Sequence, residues 1–594
     1  MNKMKTDEER HSEAAAAHPS ESSSVRRTGN PEGESSFDSS ETSLPPFPAK
    51  NVVYKGEGNA NIVIALPHRQ GVIRFRKSLP DEVSPDAGET RVLRELGYAR
   101  NVVSAFLGSY MQIPEIVRYD STDVAKLSDA IRHLRPETRR HKDIANTYAL
   151  KFADYTLLDP ELKLHESVFR SRSTFCVEIK PKQGFLQRTE WEKIPTCPYC
   201  LNQFTKLLKK NIADLSNYCP FDLFSGTKER MKNAVRELLK SPQNNLKIFK
   251  DGLVVYDQNS SPGDLEVVLD DWFRNAITTS TGRTRVEEFC DLVYAALTRP
   301  FARERLKAFP EFCSRNLPSS ASPTFRRCAE SSAVTRAKWY LRLKGKKCNF
   351  DGEKLPKDSV LERIWNMQRL SYVSVGYIYD LYSKFALLLN DDLIYSDLTK
   401  VDETCFATIP QKIENARLQT PLGAAKHYSD DLNGNPNSDS NGVLSSDKMN
   451  SDFVSHAETS LNQHSFNESH NARACDDERE TNVRISDQQL SALQSYLLFA
   501  MARDCSILMT FRELHPESSS RAPAKNTLTL SEQLSFVCSV RISDLDPKSV
   551  HSIKKHQQRD VEMFESVNSL YSVSFYFDIT SRIDNCTGSR AVCN

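Results

Sequence analysis

The chain has almost no charge excess. In 594 residues, 79 Lys and Arg stand against 78 Asp and Glu, for a formal net charge of +1. A general nucleic-acid binder carries a basic surplus, so any polyanion site here must be local. Long apolar runs are also missing: none reaches the ~18 residues of a membrane-spanning helix. The opening residues, Met1-Asn2-Lys3-Met4-Lys5-Thr6-Asp7, lack the apolar core of a secretory leader. Neither a membrane span nor export is expected. The fourteen cysteines therefore read as free thiols. Asn467-Glu468-Ser469 and Asn585-Cys586-Thr587 match glycosylation acceptors that such a chain would not use. Apolar content is modest, with 39% hydrophobic residues and a mean hydropathy of −0.52, so part of the chain is not globular.

That part is local. Residues 1–48 are rich in Ser, Glu, Ala and Pro, and residues 425–483 in Asn, Ser, Asp and His. Neither stretch can bury enough apolar surface to offset its ordering entropy, and both are expected to be disordered. The four histidines of the second, His427, His456, His464 and His470, read as solvated side chains. A shorter polar insert falls near 315–335. Two ordered blocks remain, 49–424 and 484–594, without internal repeats.

The first block opens with Asn51-Val52-Val53-Tyr54, a Gly-rich segment Lys55-Gly56-Glu57-Gly58-Asn59-Ala60-Asn61, the run Ile62–Leu66, and a further strand at Gly71–Arg76. Dinucleotide and P-loop signatures require strand, loop, then helix; here a β-branched run follows the loop. A Gly-rich hairpin over a triphosphate, with a cation on the next strand, is the protein-kinase arrangement; an ordinary hairpin turn is the bland alternative. Next comes Glu178-Ile179-Lys180-Pro181-Lys182 behind an apolar run. On an extended backbone both lysines leave one face, and Pro181 keeps them out of a helix. They suit a densely phosphorylated small molecule; the bland reading is a solvated edge strand. Helical spacing marks Cys200–Leu208, Lys228–Leu239 with Thr227 as N-cap, and Ser491–Ala502. The last runs into Asp504, at a helix-to-strand junction. Strand Ser535–Ile542 ends in Asp544-Leu545-Asp546-Pro547-Lys548. Extended, Asp544 and Asp546 share a face that suits Mg²⁺; a polar strand end is the alternative.

Together these pieces resemble the inositol-pentakisphosphate 2-kinases, which make inositol hexakisphosphate. The matching segments are Gly56–Asn59, Val72–Arg74, Arg135–Glu137, Cys176–Lys182, Tyr218–Gly226, Gln243–Phe249, Asp504–Ile507 and Asp544–Lys548, in the family's order. The resemblance implies an α+β, two-lobed fold distantly related to protein kinases. Residues 49–152 would form a β-rich N-lobe, and residues 153–424 and 484–594 a larger C-lobe. It further implies that Gly56, Glu57, Gly58, Asn59, Ala60 and Asn61 cover the ATP phosphates. Arg74 would stand where protein kinases carry lysine, with Asp154 and Tyr155 beside adenine. Asp504 would steer or deprotonate the 2-hydroxyl, assisted by Lys180, while Asp544 holds Mg²⁺ with Asp546 as helper. Arg139, Glu178, Lys180, Lys182, Lys206, Asn244, Asn245 and Lys548 would meet the inositol phosphates. The charge arithmetic agrees: five phosphate monoesters carry roughly −8 to −10, beyond what one or two lysines balance.

The family pattern is not followed everywhere. Relatives often have Lys at Arg503. Pro547 and Ser549 replace Leu and Pro. Ser552 and His556 align where some members face substrate with Arg and Tyr, leaving Lys554 or Lys555 as possible cation sources. Cys197-Pro198-Tyr199-Cys200 is a C-x-x-C pair near Cys219, but Cys313, Cys328 and Cys348 lack the spacing of a second pair, so a structural zinc is disfavoured. The accompanying expectations are ATP and Mg²⁺, a small-molecule substrate, no requirement for nucleic acid or membrane, a monomer, and a cytoplasmic or nuclear location. The alternative readings are an inactive inositol polyphosphate-binding scaffold and a kinase of a less phosphorylated inositol.

Overall fold

Period-2 alternation builds the first sheet. In β2 (Asn61–Leu66) and β3 (Gly71–Ser78), Ile62, Ile64, Ile73 and Phe75 turn inward and are fully buried. Val63, Val72 and Arg74 turn to the opposite face. With β1 (Val53–Glu57), β4 (Glu115–Arg118) and β6 (Tyr148–Ala153), they form an antiparallel sheet ordered β1-β2-β3-β6-β4, and β5 (Asp143–Ile144) pairs with β3. Helix α1 (Glu89–Tyr98) packs on β4 and β6. Helix α2 (Ser121–Arg132) is capped by Asp120, whose carboxylate accepts from the Thr122 amide at 2.8 Å, and it closes the core with Val124, Leu127 and Ile131.

The computed structural model describes residues 52–66, 70–79, 84–185, 196–275, 284–301, 348–349, 351–370, 375–399 and 484–567, with two single positions beside them. The expected tail 1–48 and inserts near 315–335 and 425–483 lie outside these residues. All described residues belong to one compact unit. Among them, no helix is long and apolar enough to cross a membrane.

The second sheet is also antiparallel, ordered β11-β12-β10-β7-β8-β9. Its strands are β7 (Phe175–Ile179), β8 (Leu246–Lys250), β9 (Leu253–Tyr256), β10 (Ser506–Glu513), β11 (Thr527–Ser531) and β12 (Leu534–Ser543). Phe175, Val177 and Ile179 face a helical core, while Cys176 and Glu178 face the other way, Cys176 packing with Phe249 and Leu508. The helices α3 (Pro198–Leu208), α4 (Lys228–Lys240), α5 (Pro262–Trp272), α6 (Arg285–Thr298), α7 (Val360–Gln368), α8 (Val375–Lys384), α9 (Asp391–Thr399), α10 (Asp487–Ala502) and α11 (552–567) accompany this sheet. Helix α10 opens with a Ser486–Gln489 capping box and buries every residue from Ser495 to Ala502, as expected of a helix apolar on all sides.

Three local expectations change. The Gly-rich segment is largely strand, not loop: β1 reaches Glu57 through a bulge at Tyr54/Gly56, and only residues 58–60 turn. The Glu178–Lys182 stretch is not on an edge strand. β7 is central, flanked by β10 and β8, and ends at Ile179. Thr227 occupies the N-cap of α4, but its side chain makes no capping bond; its hydroxyl donates to Glu353 instead, at 3.3 Å.

Candidate active site

A cavity of about 390 Å³ separates the outer face of the first sheet from the second. Its walls are apolar, with Val63, Val72, Leu150 and Phe152 on one side and Leu508 and Ile542 on the other. Its floor is charged. Arg74 lies at the centre, with Nη1 at 2.5 Å from Asp546 Oδ1 and Nη2 at 3.1 Å from Glu95 Oε2 on α1. Burial opposes the Arg74 charge, but Asp546, Glu95 and Asp544 outweigh it and raise its pKa. Asn61 donates to Asp546 Oδ2 at 2.8 Å, so Asp546 ties β2 and β3 to the end of β12.

Asp544 follows β12 with φ +62°. This left-handed residue turns the chain out of the strand, so Asp544 and Asp546 do not share a face as expected. Asp546 goes to Arg74. Asp544 Oδ2 goes to Lys180 Nζ at 2.9 Å. Ser506 Oγ lies 2.8 Å from Glu178 Oε1 and 2.9 Å from Asp544 Oδ2, so two carboxylates share its one proton. Burial alone would lift the Asp544 carboxyl; Lys180, Ser506 and Arg74 reverse that and hold it below its usual value. Burial likewise opposes the Lys180 charge, and Asp544 and Glu178 overcome it.

Lys182 also departs from the extended backbone, with φ +62°. The Lys180 amide donates to the Asn245 carbonyl, the Tyr218 hydroxyl to the Pro181 carbonyl, and Gln368 Nε2 to the Lys182 carbonyl, at 2.7–2.9 Å. The two lysines therefore do not leave one face. Lys180 lines the larger cavity, and Lys182 lines a second one of about 230 Å³. Asn244 borders both.

The second cavity collects Lys182, Lys206, Asn244, Asn245 and Asp504. Asp504 Oδ1 is 3.9 Å from Lys182 Nζ, and Oδ2 is 3.5 Å from Lys548 Nζ. Burial pushes the Asp504 carboxyl up, but Lys182, Lys548, Arg503 and Arg559 win and bring it down to about 2. Burial holds the Lys182 and Lys206 ammonium groups below their ordinary values. Lys206 reaches Gln243 Oε1 at 3.4 Å, and the Asn245 amide donates to Tyr199 Oη at 2.8 Å.

Gly56 and Gly58 border the larger cavity; Gly56 has φ +149°, and a Cβ on either would meet nothing within 4 Å, which leaves the backbone open to close approach. Glu57 also borders it, but its fully buried carboxylate is gripped by Arg135 at 3.1 Å and Lys77 at 2.5 Å. Asn59 and Ala60 form the turn, where the Ala60 carbonyl accepts from the Lys77 amide at 2.8 Å. Arg139 donates to the Glu57 carbonyl and lines the larger cavity, not the smaller one. Asp154 pairs with Lys55 at 2.9 Å, and the Tyr155 carbonyl accepts from Thr510 at 2.7 Å; both line the larger cavity.

Sequence reasoning missed Glu95, Lys55, Ser506 and Arg559. Glu95 had a signal, an acid on the first helix after β3. Lys55 stood inside the Gly-rich segment. It links Asp154 to the β8–β9 turn by donating to the Gly252 carbonyl at 2.5 Å.

A separate site lies among Cys197, Cys200, Cys219 and Cys348. All four are buried and their sulfurs lie within 4.8 Å of one another. Cys197 and Cys219 are 3.9 Å apart, Cys219 and Cys348 3.6 Å. The Cys197 amide donates to Cys348 Sγ at 3.2 Å. Thiol donors, Cys197 first, hold Cys348 well below the usual thiol range. Among the described residues, eight cysteines are buried and none forms a disulfide. Cys348 lacks the spacing of a second pair in the sequence; folding brings it to Cys219, 129 residues away.

The chain is 31% identical to an inositol-pentakisphosphate 2-kinase of Danio rerio over 57% of this chain and 70% of that protein. It is 25% identical to one of Drosophila melanogaster, over 35% of this chain and 49% of the relative. With one of Oryza sativa it shares 29% identity, over 42% of this chain and 62% of the relative; the match thus spans under two thirds of the fly and rice proteins. The family model for inositol-pentakisphosphate 2-kinase matches residues 54–562, most of the chain, and the chain belongs to that family.

Proposed function

We propose that this chain transfers the γ-phosphoryl group of ATP to the 2-hydroxyl of inositol 1,3,4,5,6-pentakisphosphate, giving inositol hexakisphosphate and ADP. The observation that carries the reading is the division of Lys180 from Lys182: one cavity with apolar walls and a carboxylate-bearing floor adjoins another collecting cations around one aspartate. In the first, adenine would lie between Val72, Leu150 and Leu508, with Asp154 and Tyr155 at its edge. The Gly56–Gly58 backbone would approach the phosphates. The Arg74–Glu95 pair parallels the strand-lysine and helix-glutamate pair of protein kinases, which supports a distant kinase relationship. Arg74 keeps its charge in any setting and can grip phosphate through two N–H groups.

Asp544 offers hard oxygen donors that fit Mg²⁺, while both Asp546 oxygens are held by Arg74 and Asn61; an ion held by Asp544 would supply neutralisation of the ATP phosphates. Lys180 would move from Asp544 toward the transferring phosphoryl group. Asp504 would accept the 2-hydroxyl hydrogen bond. A carboxyl with a value near 2 is a weak base, so its first role is orientation; phosphoryl transfer through a loose transition state demands little prior deprotonation. Lys182, Lys206, Asn244 and Lys548 would hold phosphates around it. Incubation with ATP, Mg²⁺ and the pentakisphosphate tests the reading: equal amounts of hexakisphosphate and ADP are expected, and ADP without a new inositol product would refute it.

The four-cysteine cluster fits a structural zinc. Zn–S bonds of about 2.3 Å in a tetrahedron put sulfurs roughly 3.8 Å apart, close to the observed 3.6 and 3.9 Å. Elemental analysis of the purified chain is expected to give one zinc, and Cys348→Ser to lower both zinc content and Tm. A metal-free protein of unchanged Tm would contradict it.

A further inference from the structure

The smaller cavity has a basic wall that no expected residue supplies. Arg503 ends α10 and Arg559 lies on α11, and both line the cavity beside Asp504. The Nε and Nη2 groups of Arg503 are buried without a hydrogen-bond partner. A buried guanidinium donor left unsatisfied is costly, and a polyanion would satisfy it. Arg559 is held loosely: its Nε is 3.9 Å from Asp560 Oδ1, and its side chain is 37% exposed. The other residues of α11 that sequence had offered do not serve. Ser552 Oγ is buried and unpaired, and His556 is buried with its ring nitrogen 3.1 Å from Tyr496 Oη. Lys554 and Lys555 point to solvent and do not line the cavity. Arg559 is two helical turns beyond Ser552, on the same side of α11.

We infer that Arg503 and Arg559 clamp one phosphate of the inositol polyphosphate opposite Lys182 and Lys206, and that this clamp makes the site favour the more highly phosphorylated ring. The inference deepens the function proposed above and rests on it. Two guanidinium groups present N–H forks that match a phosphate's oxygens. Asp560, also lining the cavity, partners Arg559 while no phosphate is bound. A ring lacking the phosphate at this wall would leave the Arg503 donors unpaired, and sites built around such donors discriminate strongly against analogues without the acceptor.

The test is calorimetric binding and turnover measured separately, with inositol 1,3,4,5,6-pentakisphosphate and a tetrakisphosphate. Arg559→Ala should weaken pentakisphosphate binding about 10- to 100-fold, the range for a lost charged hydrogen bond. It should raise KM with a smaller change in kcat and narrow the preference over the tetrakisphosphate. Arg559→Lys should recover part of the affinity, and a Lys554→Ala/Lys555→Ala double variant should match wild type. Unchanged affinity and preference in Arg559→Ala, or a larger loss in the double variant, overturns the clamp. Wild type that binds both rings but makes no hexakisphosphate would refute the proposed reaction while leaving the clamp testable by binding; wild type that binds neither overturns both.

Discussion

The two cavities differ in how their charges are spent. In the larger one each central charge already has a partner: Arg74 with Glu95 and Asp546, Lys180 with Asp544, Lys55 with Asp154. In the smaller one the contacts are longer, 3.9 Å for Lys182–Asp504 and 3.5 Å for Lys548–Asp504, and Arg503 has two donors unsatisfied. The first arrangement suits a ligand that brings its own counter-ion, since ATP binds with magnesium. The second suits a bare polyanion, whose charge must be met by the protein. Pre-paired charges fix geometry; unpaired ones store affinity.

The comparison can be broken at several points. The largest expected effect is in the smaller cavity, at Asp504. Asp504→Asn should cut kcat by about 10²–10⁴, the range for a positioned acid–base group, while pentakisphosphate binding stays near wild type or tightens because a negative charge is gone. An unchanged kcat would remove Asp504 from the chemistry. Next is the buried triad beneath the Gly-rich turn. Arg135→Met leaves Glu57, fully buried, with only Lys77 and the Tyr54 hydroxyl, and breaking a buried pair costs about 3–5 kcal/mol. Denaturant unfolding should register that loss, and a shift under about 1 kcal/mol would mean the network is not a stability element.

The smallest is a pH effect behind the smaller cavity. Burial, then Arg503 and Arg559, push His556 down to about 2. Between that value and the ordinary 6.5 the unfolded chain binds a proton that the folded chain refuses, so this contribution is intact above pH 6.5 and is lost as pH falls below it. From pH 7 to pH 5 the loss is about 2 kcal/mol. His556→Gln should flatten the fall in unfolding free energy over that window; an equally steep decline would exclude His556 as its source.

Much of this was legible in the residues. The β-branched run Ile62–Leu66, the strand-like run Ser535–Ile542 and the apolar run before Arg503 placed strands and helix to within a residue or a few. The residue types at Lys180, Lys182, Asp504 and Asp544 pointed to phosphate chemistry. What failed was direction. Lys182 and Asp544 both have positive φ, which side-chain alternation cannot anticipate, and each sends its group away from the face an extended strand implies. The cysteine cluster failed through distance along the chain, since no local pattern announces Cys348. Arg559 was hidden because α11 carries several basic residues, and only packing tells the inward one from Lys554 and Lys555.

The most direct measurement compares Lys180→Ala with Lys182→Ala, each assayed for the KM of ATP and for pentakisphosphate affinity. If the motif divides two sites, Lys180→Ala weakens chiefly the nucleotide step and Lys182→Ala chiefly inositol phosphate binding. Equal losses for both ligands in both variants would contradict that division.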